Sequence, residues 1–435
     1  MWAYESVFYQ IYPLGLCGAP PENDGEVVNR IQKIRAFIPQ LCSIHANAVY
    51  FSPVFESDHH GYDTRDFSKI DCRLGTNADF AELTGELHKN NIRVVLDGVF
   101  NHVGRGFWAF QDVLKNREAS SYLDWFQVNL QGNNGYNDGL WYEGWEGHYE
   151  LVKLNLQNPH VVDHILECVE AWIDEFQIDG LRLDVAYMLN EDFIRRLRKF
   201  CDGKKQDFFL VGEMIHGDYN RLLGSDMLHS VTNYECYKGL YSAFNTNNLF
   251  EVGHSLARQF GPENWTLYKE KHLFSFVDNH DVTRIATLLQ DENQLIPLYG
   301  TLFGMPGIPC IYYGSEWGEK GDKNQGDAAL RPALEKPESN ALTEFIAKCS
   351  QAKRASRALN FGTYKNLVLQ NKHMIFERTF ENERVLVAIN GSSEEVVVHF
   401  NANAGRARDL ITGAVHDFGG GSVLAPYSAC FWEIY

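Results

Sequence analysis

From Val94 to Phe100 the chain is apolar on both of its alternating faces, interrupted only at Asp97 and Gly98. A strand of that kind has no side to turn toward water, so it belongs in a sheet covered on both faces. Similar runs recur at Val7–Tyr12, Ala48–Phe51, Ile178–Leu183, Phe208–Val211, Leu273–Val277 and Ile308–Tyr312. Between them lie segments with helical apolar spacing, among them Ala78–Asn90, Pro159–Phe176 and Asn190–Phe200. Strand and helix in alternation predict a parallel sheet. With Met227–Val231 and a closing helix over Glu338–Ser356, the count reaches about eight units, the arithmetic of a (β/α)8 TIM barrel in the α/β class.

Other segments carry further expectations. Val27, Ile31, Ile34 and Ile38 predict a helix over Val27–Phe37 that ends near Pro39, and Tyr234–Phe260 reads as one long helix. Val103–Leu156 is rich in Gly, Asn and aromatic residues and reads as an irregular insert. Beyond Phe361, short strands separated by turns at Asn390–Gly391 and Gly419–Gly421 predict a small antiparallel β-sandwich. The expected division is a barrel over 1–102 and 157–357, an insert over 103–156 and a C-terminal β-domain over 358–435.

The formal net charge is -18, and no Lys/Arg-dense block offsets it. That balance argues against nucleic acid or an anionic membrane as partner and favours a neutral small molecule. The first residues lack the basic and apolar regions of a signal peptide, and no apolar run approaches a membrane span. Nine cysteines, scattered and never in a CxxC pattern, fit reduced thiols in the cytoplasm better than disulfides or zinc. Nothing in the sequence fixes an oligomeric state.

In a barrel of this kind catalytic groups stand at the C-terminal strand ends. Those ends carry Asp97, Asn101 and His102, then Arg182 and Asp184, then Glu213, then Asn279, His280 and Asp281. Arg182 and Asp184 are two apart in a strand and share a face. Three carboxylates would thus converge on one mouth, with no phosphate-binding loop and no metal-ligand spacing beside them. That combination points to acid/base work, and a carboxylate pair flanking a scissile bond is what glycoside hydrolysis requires.

The segments DGVFNHVG (Asp97–Gly104), GLRLDVA (Gly180–Ala186), VGEMIHG (Val211–Gly217) and FVDNHD (Phe276–Asp281) resemble the four conserved regions of the α-amylase family of retaining glycoside hydrolases. LNLQNP (Leu154–Pro159) is similar to the segment that closes that family's inserted domain B. The resemblance spans essentially the whole chain and implies hydrolysis of α-1,4 or α-1,6 bonds in malto-oligosaccharides, cyclodextrins or short maltodextrins. It implies Asp184 as nucleophile, Glu213 as general acid/base and Asp281 as third carboxylate. Tyr62, His102, Arg182, His216 and His280 resemble substrate-binding residues, and Asp327 and Arg331 resemble a pair gripping the next sugar. A transglycosylase of the same family would share this pattern; a non-catalytic carbohydrate-binding relative usually lacks one of the carboxylates, and all three are present here.

The neopullulanase and cyclomaltodextrinase branch is the most similar, on VFNHVGRGFWAFQDVL (Val99–Leu114) and GEMIH (Gly212–His216). Two departures stand out. The barrel starts within about the first ten residues, where that branch has an N-terminal β-domain. Met188 takes a position where calcium-dependent members have histidine and the branch has glutamate. No cofactor is expected; a calcium ion is compatible with the family, but the loop around Asn23–Asp24 lacks the spacing of an oxygen-ligand loop.

Overall fold

Eight parallel strands form the centre of the computed structural model, which describes residues 1–435: β1 (Phe8–Ile11), β2 (Ala48–Phe51), β3 (Arg93–Gly98), β4 (Gly180–Leu183), β5 (Phe209–Gly212), β6 (Ser230–Val231), β7 (Phe274–Phe276) and β8 (Ile308–Tyr312). Their spatial order runs from β6 through β5, β4, β3, β2, β1 and β8 to β7. A parallel bridge between Thr232 and Phe274 completes the ring at the β6–β7 seam. This is the expected TIM barrel.

Alternate strand residues point inward. Phe8, Ala48, Val95, Phe209, Val211 and Phe274 belong to one buried cluster that fills the barrel. Their strand neighbours Tyr9, Val49, Val94, Leu96, Leu181 and Leu210 pack in the larger core against the helices. Gly180 takes an inward position where a Cβ would stand 2.4 Å from the carbonyl oxygen of Phe209, so no larger residue fits at that level. Toward the C-terminal ends the inward residues turn polar: Gln10, Asp97 and Arg182. An apolar plug therefore supports a polar floor.

The helices begin where the sequence supplies caps. Thr76 forms a capping box with Asp79 at Asn77–Lys89, and Asn158, Asn190 and Asn340 cap Pro159–Phe176, Glu191–Lys204 and Ala341–Ala355. Three expected elements differ. Val27 and Val28 are 63% and 37% exposed, and helical structure begins only at Ile31, continuing through Pro39 into Ile38–Ser43. Pro39 sits in the first turn of that helix, where its missing N–H is not needed. Tyr234–Phe260 is two helices, Tyr234–Thr246 and Phe250–Phe260, parted where Asn247 turns left-handed at φ 51°. The stretch after β3 is not irregular throughout: it holds a helix, Trp108–Asn116, that buries Ala109, Phe110 and Val113. It also holds a three-stranded sheet of His102–Gly104, His148–Lys153 and Gly144–Trp145.

At the C-terminus six antiparallel strands form one sheet, with Thr363–Leu369 at one edge and Val415–Asp417 at the other. The second layer is only the two-stranded antiparallel ribbon of Val396–Val398 with Ser422–Leu424, closing a core around Ile375, Leu386, Val398, Leu424 and Trp432. The opposite face, with Phe376, Val387, Ile389 and Phe431, joins the barrel's main core. The sheet is sandwiched against the barrel as much as against its own second layer.

Two buried basic side chains sit at that junction without a carboxylate, and burial with the nearby Arg378 pushes Lys353 well below the usual lysine range. Arg378 donates to the carbonyl oxygens of Gly304 (2.8 Å), Gly362 (3.0 Å) and Thr363 (3.2 Å). Lys353 donates to Leu359 O at 2.7 Å. Gly304 ends the helix Leu295–Gly304 and Gly362 follows the helix Arg357–Phe361, so helix C-terminal dipoles compensate the guanidinium. Burial pushes Arg378 down to about 9, which leaves it protonated at neutral pH.

Candidate active site

Arg182 is the hub of the polar floor. Its Nη1 lies 2.9 Å from Asp97 Oδ1 and 2.7 Å from Asp184 Oδ1, and its Nη2 lies 3.0 Å from Glu213 Oε1. Asp97 is its register partner on β3 and also accepts from Tyr50 (2.8 Å) and Tyr62 (3.1 Å). Glu213 accepts a second bond from the backbone N–H of Val185 at 2.9 Å. Val185 holds a left-handed conformation, φ 39°, which is rare for a β-branched residue and aims its N–H at that carboxylate.

Three buried carboxylates thus share one guanidinium. Burial raises Asp184 and Glu213 above the usual carboxylate range, and Arg182 opposes the rise in both. The negative fields of Glu213 and Asp97 add to the rise of Asp184 and that of Asp281 to the rise of Glu213, while Asp184 makes the shorter contact with Arg182. Three carboxylates against one guanidinium leave the cluster two positive charges short, which favours a retained proton that Asp184 and Glu213 titrate jointly.

Asp281 stands apart from the pair. Burial works to raise it, but His280, Arg331 and Arg182 together hold it well below the usual carboxylate range. His280 Nε2 is 3.0 Å from Asp281 Oδ2, and Arg331 Nη2 is 3.1 Å from Oδ1. Gln10 donates to His280 Nδ1 at 2.8 Å, which directs Nε2 toward Asp281 and the Tyr62 hydroxyl. The Tyr62 ring stacks on His280 with centroids 5.5 Å apart. Arg331 also contacts Asp327 at 3.2 Å, and Lys323 holds Asp327 from the other side at 2.6 Å.

Above this floor opens a cavity of about 510 Å³. Asp184, Glu213, Asp281, Tyr62, His102, Asp327 and Arg331 all line it. Arg182 and His280, 4% and 2% exposed, lie just beneath and act through the residues they touch. His102 receives a bond at Nδ1 from Asn101 (3.2 Å), and its Nε2 is 3.9 Å from Asp184 Oδ2. Burial pushes His102 down to about 3, so the ring is neutral. His216 stands outside the cavity, exposed, with its ring 5.3 Å from that of Tyr187. Residues beyond the sequence expectation also line the wall, among them Tyr187, Trp145 and Ile215. The departure noted at Met188 meets the cleft one residue earlier, at Tyr187.

The one convergent group, Glu56, Asp71 and Cys72, has its oxygens engaged. Arg73 and Ser57 occupy both Asp71 oxygens, and Asn23 turns its Nδ2 donor on Glu56 at 2.9 Å. A thiol is also a poor ligand for a hard cation.

A carboxylate-rich cleft with Asp184 and Glu213 joined by one guanidinium, at the C-terminal face of a TIM barrel, is the equipment of a glycoside hydrolase. Residues 10–358 match the Alpha-amylase family, described as "Alpha amylase, catalytic domain", and the chain belongs to that family. A cyclomaltodextrinase from Thermoanaerobacter pseudethanolicus is 29% identical over 93% of this chain and 73% of its own. Neopullulanase 2 from Thermoactinomyces vulgaris is 30% identical over 95% and 74%. Among solved structures, the cyclic α-maltosyl-(1→6)-maltose hydrolase from Arthrobacter globiformis, in complex with maltose, superposes with a TM-score of 0.83. It shares 28% identity and covers 99% of each chain.

Proposed function

We propose that this enzyme cleaves α-glucosidic bonds of malto-oligosaccharides, cyclodextrins or short maltodextrins with retention of configuration. The observation that carries the reading is the pair Asp184 and Glu213 on one guanidinium beneath the cavity. Asp184, paired with Arg182 at 2.7 Å, attacks the anomeric carbon as the carboxylate of the pair. Glu213 keeps the shared proton and delivers it to the departing glycosidic oxygen. A glycosyl-enzyme ester forms as the C–O bond to the leaving sugar breaks. Glu213, now ionised, takes a proton from water, and the resulting hydroxide displaces Asp184. Asp281, kept ionised by His280 and Arg331, accepts hydrogen bonds from hydroxyls of the reacting sugar. Tyr62 offers that ring a stacking face, and Asp327 with Arg331 holds the neighbouring unit.

Tyr187 and Ile215 favour a second outcome at the deglycosylation step. Both line the cavity, and Ile215 is 40% exposed, so this end offers apolar area to a sugar acceptor in place of water. Transfer to malto-oligosaccharide acceptors therefore competes with hydrolysis at high substrate.

Small α-glucans are the partners of this reading, and no bound metal or cofactor takes part. We place the enzyme in the cytoplasm, on the support of nine free thiols, seven of them buried. No helix is long and apolar enough to cross a membrane.

Chromatography of the products from maltotriose, maltoheptaose, β-cyclodextrin and pullulan tests the substrate class. Glucose and maltose are expected at low substrate and longer chains at high substrate. Absence of turnover on all four overturns the reading. Asp184→Asn is expected to abolish turnover with the fold intact, and retained turnover would reassign the nucleophile.

A further inference from the structure

Trp145 holds a buried donor that nothing in the protein answers. Its indole Nε1 is shielded from solvent and has no hydrogen-bond partner. Trp172 donates its indole N–H to Phe67 O at 2.8 Å and Trp317 to Glu319 at 3.3 Å. A buried N–H without an acceptor is costly, so its retention at Trp145 calls for a reason.

The surroundings of Trp145 supply one. It ends the strand Gly144–Trp145 and is joined to His148 through Glu146 and Gly147, both at positive φ (48° and 88°). Such a two-residue turn fixes the hairpin rigidly. The indole stacks on His148 at 5.6 Å and leans on His102 at 5.8 Å. His102 Nε2 is a second buried polar atom without a partner. Its Nδ1 accepts from Asn101, so Nε2 carries the hydrogen. Both side chains line the cavity that holds Asp184, and His102 Nε2 approaches Asp184 Oδ2 to 3.9 Å. Two neutral donors side by side, next to the attacking carboxylate, call for an occupant that presents neutral oxygen acceptors there. A hydroxylated sugar ring does so; an anion is not selected, because neither donor is charged.

We infer that Trp145 is a specificity-determining residue, its indole N–H donating to a hydroxyl of the glucosyl ring that lies against Asp184. The inference rests on the function proposed above. It puts part of the recognition of the reacting sugar on a hairpin outside the barrel. The ring stack with His148 sets the height of the indole over that sugar, and the N–H reads one of its oxygens.

The test combines Trp145→Phe with substrate deletions. Trp145→Phe keeps a ring between His148 and His102 and removes the N–H together with part of the ring area, so the deoxy analogues isolate the hydrogen bond. The substrates are 4-nitrophenyl α-maltoside and its monodeoxy analogues in the reacting ring. Trp145→Phe is expected to lower kcat/KM about 5- to 10-fold on the parent, as one hydrogen bond warrants. On the one analogue that lacks the contacted hydroxyl it is expected to have no effect. Equal losses on every analogue, or no loss on any, overturn the inference. Maltotriose binding to the Asp184→Asn protein, by calorimetry with and without Trp145→Phe and with Trp145→Tyr as a second deletion, gives a readout free of turnover. Binding should weaken by the same factor in both variants, and unchanged affinity overturns the inference. A wild-type protein that neither turns over the parent nor binds maltotriose as Asp184→Asn overturns the proposed function itself. Turnover with an unaffected Trp145→Phe overturns this inference alone.

Discussion

The backbone N–H of Val185 donates to Oε2 of Glu213 at 2.9 Å, so the residue following Asp184 holds the carboxyl group of the next strand. Both members of the pair are therefore positioned by one turn. The N–H bond works against burial in setting the Glu213 pKa, which keeps the proton transferable.

Glu213→Gln should lower kcat on maltotriose about 10²- to 10⁴-fold, the range for a lost general acid. With α-maltosyl fluoride the glycosylation step needs no proton, and its rate should be nearly retained. Pre-steady-state release of fluoride measures this; equal losses on both substrates would remove Glu213 from the acid role.

Arg182→Met removes the only cation shared by Asp97, Asp184 and Glu213. Loss of about 3–5 kcal/mol of stability is expected from the uncompensated buried charge. Arg182 lowers both carboxyl groups of the pair, so the acid limb of the kcat/KM profile should move to higher pH. An unmoved limb would mean that another group sets it.

Glu316 is fully buried, with one oxygen accepting from Tyr9 at 2.7 Å and the other unpartnered. Burial pushes it up to about 7. A raised folded pKa means stability that is full below the unfolded value of about 4.3 and lost as pH rises through about 7. Glu316→Gln cannot ionise. It should melt higher than wild type at pH 8.5, by up to about 3 kcal/mol, and show no such gain at pH 5. Equal shifts at the two pH values in scanning calorimetry would refute the assignment.

Arg378→Met should loosen the junction of barrel and C-terminal sheet, because three carbonyls lose their donor at once. We expect a cost of about 2–4 kcal/mol, with hydrogen exchange accelerated first in Thr363–Leu369. Uniform acceleration across the barrel would point to global destabilisation instead.

The barrel and the three carboxylates were legible because strand ends carry a period of two. Asp97, Arg182, Asp184 and Glu213 interrupt apolar runs at positions that face one way. Gln10 and Tyr50 belong to the same floor, yet each reads as strand filling, since its partners lie 42 to 270 residues away in the chain. Lys353 and Arg378 look like surface cations until the helix ends that receive them are in place. Trp108–Asn116 was obscured by aromatic residues and a start without a capping side chain. The break at Asn247, by contrast, was signalled by the cluster Asn245–Asn248, which favours left-handed backbone. Trp145 carried no local signal; its meaning lies in an absent partner.

Asp184 and Glu213 each stand one residue beyond the paired positions Leu183 and Gly212, on neighbouring strands. Hydrogen-bonded strands run about 4.8 Å apart, so the ladder itself sets the width between the two carboxyl groups. That width is near the roughly 5–5.5 Å at which a carboxylate reaches the anomeric carbon directly, and too narrow for the water that inversion needs at about 6.5–9.5 Å. Had the acid been placed one strand further round, the gap would have doubled and the product would leave as the opposite anomer. The anomeric form of the sugar released is, on this geometry, a property of the peptide hydrogen bond.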